Sequence, residues 1–180
     1  LGISKMKIYN VFLILFLILL VSCAQQEHIV EQAAPNQTKN VDILKSGDNS
    51  AIETETVDYG SANGFLAKPK KDGIYPAVIM IHEWWGLNDN IKEMARQLAS
   101  EGYVVLAVDM FEGKVGKDAN EAREFSSKVR NNTGQAISNL KSAVNFLKKQ
   151  NNVDKEKIAS MGWCFGGQWS LQLALHEKMA

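Results

Sequence analysis

The sequence predicts an α/β domain, a mostly parallel sheet with helices on both faces. Three observations predict it. Ala77-Val78-Ile79-Met80-Ile81 and Val104-Val105-Leu106-Ala107-Val108 are continuous apolar runs, as expected of strands buried on both faces. A helical apolar pattern separates them, so strand and helix alternate along the chain. A third short run, Lys157-Ile158-Ala159-Ser160-Met161, again follows helical patterning, the order that parallel crossovers produce.

The elements follow in order. Residues 52–59 alternate Ile52, Thr54, Thr56 and Asp58 against Glu53, Glu55, Val57 and Tyr59, as an edge strand does. Gly60-Ser61-Ala62-Asn63-Gly64 supplies turn chemistry, and Phe65-Leu66-Ala67 begins a partner strand ended by Pro69. Residues 70–75 are a polar connection to the first buried run. Asn90 and Glu93 then have capping-box spacing, and Ile91, Met94, Ala95 and Leu98 share a helix face. Gly102 closes that helix in the left-handed position. Beyond the second run, residues 118–130 form a mostly polar helix. Residues 136–150 form another, striped by Ile137, Leu140, Val144 and Leu147. After the third run, residues 168–179 are helical. The order is β-β-β-α-β-α-α-β-α.

Composition narrows the function. Lys+Arg and Asp+Glu number 20 each, so the formal net charge is zero and no basic stripe marks a nucleic-acid partner. At 180 residues and 46% hydrophobic content the chain has material for one globular domain.

The N-terminal end is read as a leader rather than as fold. Lys5 and Lys7 precede an apolar run over 11–21, too short to span a bilayer but suited to a signal peptide. Leu20-Val21-Ser22-Cys23 resembles a bacterial lipobox. That resemblance implies a lipoprotein signal peptide over 1–22 and lipid attachment at Cys23; an ordinary signal peptide with an incidental cysteine is the alternative. Because the first residue is Leu1, Met6 is a candidate start. The implied location is a membrane-anchored lipoprotein on the periplasmic or cell-surface side. Ala24 in place of aspartate favours the outer membrane in a Gram-negative cell. Residues 23–50, rich in Gln, Asn and charge, form a flexible tether, and 51–180 the domain.

Gly162-Trp163-Cys164-Phe165-Gly166-Gly167 carries the chemistry. A turn of small residues between strand and helix is a nucleophile elbow, which holds its central side chain at the strand tip. Gly162 and Gly166 fit because backbone approaches too closely for a Cβ, and Gly167 lets the helix pack on the sheet. The helix aims free N–H groups and its positive dipole end at the sulfur, favouring thiolate. With Cys23 lipidated, Cys164 has no disulfide partner. The competing assignment is a buried, inert cysteine.

With this elbow, two further segments complete a resemblance: His82-Glu83-Trp84-Trp85-Gly86-Leu87 after a buried strand, and Glu101-Gly102-Tyr103-Val104-Val105-Leu106-Ala107-Val108-Asp109-Met110-Phe111. From residue 52 onward the chain resembles the dienelactone hydrolase family of the α/β-hydrolase fold. The resemblance implies hydrolysis of a carboxylic ester or lactone, a small-molecule substrate, through a thioester on Cys164. It assigns Glu83 as acceptor of the thiol proton. A carboxylate beside Trp84 and Trp85 is partly desolvated, as a base requires; an exposed loop acid is the alternative. The backbone N–H groups of Trp84 and Phe165 are the expected oxyanion donors, each contributing about 2.7–4 kcal/mol in comparable sites. The two indoles either wall the acyl pocket or fill the core. No metal or cofactor is implied.

Two departures stand out. The family places a substrate-binding arginine shortly after the aspartate ending the fourth strand; here Asp109-Met110-Phe111-Glu112-Gly113-Lys114 offers Lys114, more in keeping with a solvated loop residue. In this fold the acid and histidine of the triad follow the nucleophile. No aspartate follows Cys164, and His176 is the sole histidine there, about 18 Å along a helix. His82 belongs to the oxyanion-side loop and His28 to the tether. The expectation is a domain truncated after the elbow helix and inactive as it stands. A non-catalytic lipoprotein that binds a ligand or partner in the cleft is the alternative.

Overall fold

The computed structural model describes residues 49–177. The expected leader over 1–22, Cys23, His28 and nearly all of the tether lie outside them. A 3-10 turn (Asn49–Ala51) leads into β1 (Ile52–Asp58), β2 (Asn63–Pro69), β3 (Tyr75–Ile81), α1 (Asp89–Ser100), β4 (Val104–Val108), α2 (Ala119–Asn131), α3 (Thr133–Lys148), β5 (Val153–Gly162) and α4 (Phe165–His176). The predicted element order is the observed one.

The described strands form one sheet in the order β1-β2-β4-β3-β5. β2 pairs antiparallel with β1 and β4, whereas β3 pairs parallel with β4 and β5, so four of the five strands run in one direction. The crossovers bring β3, β4 and β5 to adjacent positions with their carboxyl ends at one edge. Ligand sites of open α/β sheets collect along such an edge.

Alternate strand residues feed two cores. On one face Phe65, Ala67, Met80, Val105 and Ala107 meet Ile91, Ala95 and Ala99 of α1. On the other Leu66, Ile79, Ile81, Leu106 and Val108 meet Leu140, Val144 and Leu147 of α3 and Phe165, Trp169 and Leu173 of α4. Helices therefore cover both faces, and burial of each large aliphatic side chain contributes about 1.5–3 kcal/mol.

Three local expectations are corrected. The cap of α1 is Asn88, whose Oδ1 accepts the Ile91 N–H at 3.1 Å; Asn90 is already helical and Glu93 pairs with Arg96. α3 begins at Thr133, directly after the single non-helical residue Asn132 that ends α2. α4 begins at Phe165 rather than Gln168, so Gly166 and Gly167 lie in its first turn.

Candidate active site

Three strand ends build the site. Ile81 and Gly162 are paired across β3 and β5. Glu83 and Cys164 therefore each lie two residues past a matched pair, on neighbouring strands about 4.8 Å apart. β4 supplies the third end, from Asp109 to Gly113.

Cys164 sits between β5 and α4 at φ 52° and ψ −114°, a left-handed backbone that a non-glycine residue adopts only under strain. Its side chain is exposed. The strain persists because the turn is locked by close backbone packing. A Cβ on Gly162 would lie 2.5 Å from the Gly166 carbonyl carbon. One on Gly166 would strike the carbonyl oxygens of Ile81 and His82. Gly166 N–H donates to the Trp163 carbonyl at 2.9 Å, closing the turn. Gly167 is less constrained, since a Cβ there would lie 3.1 Å from the Gly162 carbonyl oxygen.

The two expected oxyanion donors follow the ends of β3 and β5. Phe165 is the first residue of α4, so its N–H belongs to the helix's free amino end. Trp84 lies in the turn after β3, closed by Gly86 N–H to the Glu83 carbonyl at 3.2 Å. Neither the Trp84 nor the Phe165 N–H donates a hydrogen bond among the described residues. Gly86, at φ 99°, also keeps this turn tight, since a Cβ would meet the Lys114 carbonyl oxygen at 2.5 Å. The Glu83 side chain is half-buried and has no ion pair or hydrogen bond among the described residues. Trp84 packs partly buried on the larger core, its ring centroid 4.9 Å from that of Trp85.

Asp109 is structural. Its carboxylate accepts the N–H groups of Phe111 (2.7 Å) and Gly113, while its carbonyl receives Asn139 Nδ2 at 3.0 Å. Lys114 is exposed, with Nζ 5.4 Å from the Phe125 ring centroid, the solvated placement its sequence context favours. A cavity of about 360 Å³ opens between the β4 end, α2 and α3; its lining includes Phe111 and Lys114 but not Cys164 or Glu83. His176 ends α4, exposed and at the opposite terminus from the sulfur.

Two residues acquire roles that no local pattern signals. His82 is fully buried and joins the β3 and β4 ends. Arg130, on the polar helix α2, lays its guanidinium 5.4 Å over the Phe165 ring and reaches Gln168 Oε1 at 3.4 Å.

The model of the Dienelactone hydrolase family matches residues 62–180. The chain belongs to the dienelactone hydrolase family. It is similar to Protein usf of Aquifex pyrophilus, 36% identical over 115 residues, covering 62% of this chain and 49% of the relative. A protein of Aquifex aeolicus named "Putative carboxymethylenebutenolidase" is 31% identical over 115 residues, with the same coverage of 62% and 49%. Among solved structures, a dienelactone hydrolase-like promiscuous phosphotriesterase from metagenomic libraries superposes with a TM-score of 0.64 at 32% identity, over 69% of this chain and 54% of that one. The chain thus spans about half the length of these relatives.

Proposed function

We propose that this chain carries the acyl-accepting half of a cysteine-dependent hydrolase of carboxylic esters or lactones. The observation that carries the proposal is Cys164, exposed and strained at the amino end of α4, with the Phe165 and Trp84 N–H groups unengaged on either side. Glu83, at the matching position on the adjacent strand end, is the acceptor for the thiol proton. The thiolate forms a bond to the substrate carbonyl carbon, and the carbonyl electron pair moves onto oxygen between the two N–H donors. Collapse breaks the bond to the leaving alkoxide, which takes the proton from Glu83 and leaves a thioester on Cys164. Water then hydrolyses the thioester.

The test is p-nitrophenyl acetate with detection of the acylated peptide by mass spectrometry. A stoichiometric burst with acetyl on the Cys164 peptide is expected, absent in Cys164→Ala and slowed about 100-fold in Glu83→Gln. An undiminished burst in Cys164→Ala refutes the nucleophile assignment. We also propose that Cys23 carries a lipid and places the domain on the periplasmic or cell-surface side of a membrane, supported by Leu20-Val21-Ser22-Cys23 after the apolar run. Labelled palmitate should enter the wild-type protein and not Cys23→Ala; equal labelling of both refutes it.

A further inference from the structure

We propose that His82 is a positioning residue that aims both oxyanion donors, an inference that rests on the acyl-transfer function above. Its ring is fully buried and both nitrogens are engaged by backbone. Nδ1 lies 2.6 Å from the Glu83 carbonyl oxygen, and Nε2 lies 3.1 Å from the Met110 nitrogen. A carbonyl can only accept and a backbone N–H can only donate. The proton is therefore on Nδ1 and the lone pair on Nε2, with no freedom of tautomer.

The consequence for catalysis follows from the geometry of one peptide. The Glu83 carbonyl and the Trp84 N–H belong to the same planar trans unit and point in opposite directions. Holding the oxygen against the buried imidazole, with Gly86 N–H as its second donor, directs the Trp84 N–H away from the core. The second oxyanion donor is reached through the ring face. His82 stacks on Phe165 with centroids 5.7 Å apart and planes 7° from parallel, and Phe165 bears the N–H next to the nucleophile. Phe111, from the β4 end, closes the opposite side edge-on at 4.6 Å. One side chain thus links the ends of β3, β4 and β5, and both donors are within one residue of its contacts.

A core histidine with only a packing role predicts something different from a positioning one, and two isosteric substitutions separate them. In His82→Asn the amide nitrogen takes the place of Nδ1 and keeps the Glu83 carbonyl clamp. In His82→Gln the amide takes the place of Nε2, keeps the Met110 bond and loses the clamp. Two reactions at Cys164 are then followed on the full chain by mass spectrometry of its peptide. Acylation by p-nitrophenyl acetate develops an oxyanion, whereas alkylation by iodoacetamide is a displacement at saturated carbon and develops none. His82→Gln is expected to slow acylation about 100-fold and His82→Asn less than about tenfold, the scale set by loss of one oxyanion donor, with alkylation unchanged in both. Equal acylation rates in the two variants, or acylation and alkylation falling together, overturn the positioning role. Failure of the wild-type protein to acylate at Cys164 is a separate result, which removes the hydrolase function and this inference with it.

Discussion

Alanine at Gly166 tests the packing that holds the elbow. The new Cβ would press on the Ile81 carbonyl oxygen and lie 2.7 Å from the His82 oxygen and 3.0 Å from the Ile81 carbonyl carbon. Comfortable heavy-atom contacts begin at about 3.5 Å, so the end of β3 and the start of α4 must separate by roughly 0.5–1 Å. None of the obstructing atoms can rotate aside, because Ile81 is paired with Val108 on one side and Gly162 on the other. Overpacking of this kind costs about 1–3 kcal/mol, and the immobility of the obstruction places it near 3. With a urea dependence of about 2 kcal/mol/M, the unfolding midpoint falls by roughly 1.5 M. Gly134→Ala is the internal control. A Cβ there meets nothing within 4 Å, in the first turn of α3, so the same substitution stabilises by about 0.5 kcal/mol. Urea titrations of both variants decide the matter. A Gly166→Ala midpoint within about 0.3 M of wild type refutes the close-approach account of the elbow.

Three further outcomes are expected. Cys164→Gly removes the strain of φ 52°, worth about 1–3 kcal/mol, against a glycine entropy cost of about 0.5–1. The variant should lose acylation yet melt no lower than wild type; a clearly lower Tm refutes stored strain. Burial lowers the His82 pKa, so the folded chain binds fewer protons than the unfolded chain below about pH 6.5. Its contribution is therefore complete above that pH and is lost as pH falls through the folded value. Urea midpoints at pH 7 and pH 5 should fall further in wild type than in His82→Asn, and equal falls refute the assignment. Burial raises the Tyr59 pKa above its usual value, so its contribution is present below about pH 10 and is lost as pH rises further. Tyr59→Phe should remove that alkaline loss. At neutral pH it should destabilise by about 1–2 kcal/mol, because Asn139 Oδ1 loses the hydroxyl 2.7 Å away. A midpoint unchanged from wild type at pH 7 refutes that hydrogen bond's contribution.

Much of the architecture was legible because its signals are local. Apolar runs marked β3 and β4, and one-sided stripes marked α1 and α3. Gly102 ended α1 at φ 93°, in the expected left-handed position. Errors arose where one residue type serves two purposes. Gly166 and Gly167 resemble turn residues, yet the helix runs through both: Gly166 is glycine because the end of β3 passes close by, and Gly167 faces the Gly162 carbonyl at the end of β5. Asn90 has capping-box spacing with Glu93, but the backbone leaves the helix one residue before Asp89, so Asn88 is the cap.

The order of elements, the elbow with its central thiol and the family to which these segments belong were all readable from the chain alone. Each is encoded in neighbours along the chain: periodicity, small residues at fixed spacing, a polar group at the end of an apolar run. Which residues share the sheet edge, and which side chains contact one another there, was decided by the three-dimensional fold. Glu83 and Cys164 are 81 positions apart, and strand order and register put them on adjacent ends. His82, in sequence no more than a loop histidine, is bonded to a backbone N–H 28 residues away and stacked on Phe165. Arg130 reaches the elbow from a helix whose pattern shows only a solvated face. Such roles depend on contacts between distant segments, and these exist only once the sheet has brought its strand ends together.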